Sequence, residues 1–67
     1  MTQDLLSMTE TARDFLMKSG FLIAKLDKAQ KVPDSNQWRL TFDVGISHTQ
    51  YKTVVVDESL GKVVGLE

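Results

Sequence analysis

The sequence predicts an α+β domain in two layers: one N-terminal amphipathic helix packed on a four-stranded antiparallel meander sheet, strand order 1-2-3-4. Three observations carry this. Apolar residues recur at helical spacing ahead of Gly20, apolar and polar residues alternate strictly over 37–46, and the apolar segments that follow are joined by short turn-type links. At 67 residues the chain has room for one core and no second domain.

The helix is expected over 7–19. Ser7-Met8-Thr9-Glu10 has the form of a capping box, in which the Ser hydroxyl and the Glu carboxylate each accept from the other's amide. Leu5, Met8, Ala12, Phe15 and Leu16 make one apolar stripe, and Arg13, Asp14 and Lys18 lie off it. Gly20 is the expected left-handed stop, with Lys18 near the negative end of the dipole. Thr2 is an alternative cap for an earlier start.

A first strand is expected over 21–31, apolar on both faces through Phe21-Leu22-Ile23-Ala24 and polar thereafter. Val32-Pro33-Asp34-Ser35-Asn36 is a turn cluster, since Pro33 cannot sit in a central strand. The second strand, 37–46, sets Trp38, Leu40, Phe42, Val44 and Ile46 against Gln37, Arg39, Thr41, Asp43 and Gly45. That period of two means one buried and one wet face, and places this strand under the helix. Ser47-His48-Thr49-Gln50 is a polar connection to a third strand, 51–57. Glu58-Ser59-Leu60-Gly61 is a tight turn with Gly61 at a position needing positive φ, and 62–66 is the fourth strand.

A single helix covers one face of such a sheet. In strict alternation Ile23, Val55 and Val63, with Tyr51 beside them, fall on the face away from it. Two readings stay open. β-branched residues suit strands whichever way they point, whereas a contiguous exposed apolar patch marks a partner surface. The second makes Ile23, Tyr51, Val55 and Val63 a candidate interface for a protein partner or a second copy of the chain.

Composition narrows the function classes. Apolar residues make up 42% and charged residues 25%, as in a folded domain rather than a disordered one. A chain this short has a small core, and the absence of cysteine removes disulfides and thiolate metal sites as staples. Self-association is then one way to reinforce it. No apolar run approaches the roughly 20 residues of a membrane span. The N-terminus lacks the basic start and apolar core of a signal peptide, so the expectation is a cytoplasmic protein with no membrane partner. Net charge is −1, and residues 21–67 carry six bases and six acids, with no cationic bias for nucleic acid.

The chemistry-bearing residues point away from catalysis. His48 is the single histidine and lacks a nucleophile and an orienting group, because Ser47 beside it points the other way on an extended segment. One histidine among dispersed carboxylates has no metal-ligand spacing. Asp57 reads as a turn cap rather than half of an acid–base pair with Glu58. Trp38 and Phe42 share the face of Leu40 and Val44, so they are core rather than a base-stacking platform. No catalytic, cofactor-binding or metal residue is assigned, and no cofactor is expected.

The last third, Tyr51-Lys52-Thr53-Val54-Val55-Val56-Asp57 followed by Glu58-Ser59-Leu60-Gly61-Lys62-Val63-Val64, resembles the closing hairpin of PepSY-type domains. The order of helix, strand and Trp38 in an alternating strand is similar as well. Trp38-Arg39-Leu40-Thr41-Phe42-Asp43-Val44 with the same hairpin also resembles gas-vesicle accessory protein O. The first resemblance implies a small non-catalytic binding module and carries over no catalytic residue. The functional expectation is therefore a non-enzymatic interaction or regulatory module acting through the open sheet face or by self-association. The alternative is a small-ligand site or minor enzyme between the helix C-terminus and the sheet, near Phe21 and Trp38.

Overall fold

Alternation over the second apolar segment builds the centre of the sheet. The computed structural model describes residues 5–67. In it α1 (Leu5–Lys18) is followed by β1 (Lys25–Lys31), β2 (Gln37–Asp43), β3 (Tyr51–Asp57) and β4 (Lys62–Leu66). The four strands form one antiparallel sheet in the order β1-β2-β3-β4. β2 and β3 pair without a slip from Gln37↔Asp57 to Asp43↔Tyr51. Residues directly opposite share a face, so Trp38 with Val56 and Leu40 with Val54 turn toward the helix. Met8, Ala12 and Leu16 of α1 close the core over Leu40, Phe42, Val44, Val54 and Val56. The helix lies chiefly across β3 and β4, not centred on β2.

Ser7 does not cap the helix. α1 is already formed at Leu5, and Ser7 stands inside it. The hydroxyl of Thr9 donates to the Leu5 carbonyl at 2.8 Å and that of Thr11 to the Ser7 carbonyl at 3.0 Å. These are the back-bonds of interior residues. Thr2, the alternative cap, lies outside the described residues.

The first strand is shorter than expected because the helix ends in a Schellman motif. The Phe21 amide donates to the Leu16 carbonyl at 3.2 Å and the Gly20 amide to the Met17 carbonyl at 3.2 Å, with Gly20 at φ 107°. Phe21 packs back on the core that contains Leu16, the apolar contact usual for this motif. With its amide so used Phe21 cannot open a ladder, and pairing starts only at Lys25↔Asp43. Leu22 and Ile23 therefore sit in a connection and not in a strand.

β2 likewise stops at Asp43, three residues short of Ile46. Asp43 turns its carboxylate onto the connection that follows, and the backbone at Gly45 is approached so closely that a Cβ there would stand 1.6 Å from the His48 carbonyl oxygen. Val44 remains buried, but Ile46, expected in the core, is thrown outward.

Two bulges reset the faces of the edge strands. In β1, Leu26 opposes Phe42 and Lys28 opposes Thr41, leaving Asp27 as the extra residue. In β4, Gly65 opposes Val55 and Val63 opposes Val56, leaving Val64 as the extra one. Strict alternation put Val63 on the open face. The bulge turns it toward the helix, where it packs against the core. Gly61 closes the last turn at φ 65°, as expected.

Candidate functional site

The open face of the sheet is polar, and this corrects the expected apolar patch. Across it run four rows set by the pairing: Lys25, Asp43 and Tyr51; Lys28, Thr41 and Thr53; Gln30, Arg39, Val55 and Gly65; Gln37, Asp57 and Lys62. The Thr41 and Thr53 hydroxyls bond to each other at 3.1 Å. The Glu67 backbone continues the pairing beyond β4, with its amide donating to the Thr53 carbonyl at 2.7 Å. From there its carboxylate accepts from the Arg39 guanidinium. This diagonal strap crosses β3 at the level of Val55.

The four expected interface residues do not share a surface. Val55 lies on the open face but is only 8% exposed. Val63 belongs to the other face, and Ile23 to the connection before β1. Tyr51 alone stands on the open face with substantial exposure, at 55%.

Among the described residues, five exposed large apolar side chains lie at one end of the sheet, while others, such as Leu6 in α1 and Leu60 in the last turn, are exposed away from it. Residues 19–24 lead into Lys25 and residues 44–50 leave from Asp43, and Lys25 and Asp43 are paired, so the two connections emerge side by side. Leu22 on the first is 75% exposed and Ile46 on the second 72%. These are the two most exposed large apolar side chains among the described residues. Ile23, Leu26 and Tyr51 add apolar surface at the same end.

The connection bearing Ile46 is held by one carboxylate oxygen. Asp43 Oδ1 accepts from the Gly45 amide at 3.0 Å and from the Gln50 amide at 3.3 Å, and the Val44 amide donates to the Gln50 carbonyl at 2.8 Å. These two amides, Gly45 first, hold the Asp43 carboxyl below its ordinary value of 3.8. Ile46 is thus presented on a braced loop rather than on a loose one.

Catalytic groupings are weak. The connection bends, so Ser47 and His48 do not point apart as expected: Ser47 Oγ lies 3.3 Å from His48 Nδ1. Both are exposed, and among the described residues no third group is hydrogen-bonded to the imidazole to orient it. Asp57 caps the last turn, accepting from the Ser59 amide at 2.9 Å, the Ser59 hydroxyl at 2.7 Å and the Leu60 amide at 3.0 Å. No group of three His, Asp or Glu side chains is gathered for a metal among the described residues. No helix among them is long and apolar enough to cross a membrane. Near the helix C-terminus Phe21, Ala24 and Trp38 are partly buried and pack against the core. A surface depression of about 380 Å³ on the open face is lined by Asp27, Lys28, Thr41, Tyr51 and Thr53.

Sequence reasoning missed Ile46 because the alternating pattern ran on through it. The signal was Gly45, which has no side chain to pack in a strand and marks a close backbone approach. No protein-family model matches the chain, and no curated protein or solved structure matches it either.

Proposed function

We propose that the protein is a small non-catalytic interaction module that docks through the apolar end formed by residues 19–24 and 44–50. The observation that carries this is the exposure of Leu22 and Ile46, each about three-quarters exposed, on two connections that leave the paired Lys25 and Asp43, one of them braced by Asp43. Exposed apolar surface gathered in one place marks an interaction site, whereas scattered single residues need no explanation. A second copy of the chain is the partner we favour. With a net charge of −1, copies repel each other little, and association reinforces a core this small. The likeness of the closing hairpin to PepSY-type domains, themselves non-catalytic binding modules, supports the same class of function.

Photo-crosslinking tests the reading. A benzophenone side chain placed at position 46 is expected to give chain-to-chain adducts, and the same group at Gln30 on the open face is not. Adducts from position 30 alone would move the docking surface to the open face, and adducts from neither would remove the self-association reading.

A further inference from the structure

The β1 bulge has a chemical consequence on the open face. In an unbroken strand Asp27 and Lys28 would point to opposite faces. With Asp27 inserted as the extra residue, both line the same depression of about 380 Å³. Bulges commonly re-aim a side chain beside a site, and this volume falls in the range of small-ligand sites, from about 300 Å³ upward. The carboxylate and the ammonium are both exposed, and among the described residues neither takes part in an ion pair. Both charges are therefore available to a ligand.

The rest of the depression is equally specific. Its floor holds the Thr41 and Thr53 hydroxyls, 3.1 Å apart. One donates to the other, which leaves a single O–H free to donate outward. Tyr51 supplies an exposed aromatic wall. An ammonium and a spare hydroxyl proton suit a carboxylate, an adjacent carboxylate suits an ammonium, and the phenol ring suits an apolar substituent.

We infer that this depression is a site for a small zwitterion, an α-amino acid in the first instance. The ligand carboxylate meets Lys28 and the threonine pair, its ammonium meets Asp27, and its side chain lies against Tyr51. The site borders the docking end at Tyr51, but neither Leu22 nor Ile46 lines it.

The test is a nuclear magnetic resonance titration of the labelled full chain with glycine and with L-phenylalanine, using acetate and methylammonium as half-ligands. Both amino acids are expected to give saturable shifts at the amides of Lys28, Thr41 and Thr53, with phenylalanine the tighter. The half-ligands are expected not to saturate in the same range. Asp27→Asn and Lys28→Gln, both at exposed positions, should each weaken binding about tenfold while keeping the wild-type melting temperature. No saturable shift, acetate matching the amino acids, or variants that titrate like wild type would each overturn the site. None of these outcomes bears on crosslinking at position 46, so the two proposals fail separately.

Discussion

Asp43 and Gly45 are joined across a single residue: the Gly45 amide donates to Asp43 Oδ1 at 3.0 Å, and the same oxygen takes the Gln50 amide from the far end of the connection. This one relationship ends β2 and opens the way for Ile46 to leave the sheet. It also makes the displayed end of the molecule depend on an ionised carboxylate and on a residue without a side chain.

Gly45→Ala is expected to destabilise the fold by about 1–3 kcal/mol, the usual cost of overpacking. The added Cβ would stand 1.6 Å from the His48 carbonyl oxygen and 2.9 Å from the Gln50 amide nitrogen, so backbone must move. Urea denaturation measures the loss, and faster hydrogen exchange at the Val44 and Gln50 amides locates it.

Acid should act through Asp43 and Asp57. Asp57 is also held below 3.8, chiefly by the Ser59 hydroxyl and then by the Leu60 amide. A group whose folded pKa is depressed adds stability above its unfolded value and loses it as pH falls through the folded one. Asp43→Asn and Asp57→Asn are therefore expected to lower the melting temperature at neutral pH. The gap to wild type should close as pH drops well below 3.8. Melting curves across that range check it, and a gap that widens in acid would contradict both assignments.

The β4 bulge separates two neighbouring valines. Val63 packs on the core and Val64 is exposed. Val63→Ala should cost about 1 kcal/mol, for a half-buried loss of two methylene equivalents, and Val64→Ala less than about 0.5 kcal/mol. A strand in strict alternation would reverse the order, so chemical denaturation of the pair decides the register.

On the open face, Val55 and the ion pair at its level should differ in the same way. Val55→Ala is expected to cost about 1–2 kcal/mol because the side chain is buried. Glu67→Gln, which breaks an exposed pair with Arg39, should cost less than about 0.5 kcal/mol. Equal effects would mean that Val55 is as exposed as a free sheet face would leave it.

The architecture was legible wherever one residue type dictates local geometry. The stripe Met8, Ala12, Leu16, the stop at Gly20, the turn at Gly61 and the strand order all follow from helical spacing, positive φ and short links. What escaped were places where a hydrogen bond outweighs hydrophobic pattern. Phe21 reads as strand, yet its amide closes the helix. Ile46 reads as core, yet the Asp43 carboxylate turns the chain before reaching it. Bulges are the second blind spot: one extra residue reverses every face beyond it, so Val63 moved inward and Asp27 came to share a depression with Lys28. The displaced candidate surface follows from these same local events, because Ile23, Val55 and Val63 were placed by alternation alone.

In the proposed function the end bearing Leu22 and Ile46 joins one chain to another. Solution mass by light scattering, over a hundredfold concentration range, tests it most directly on the wild type and on Leu22→Ser with Ile46→Ser. A wild-type dimer and a folded monomeric double variant are expected. A wild type that stays monomeric throughout, or a dimer that survives both substitutions, would contradict it.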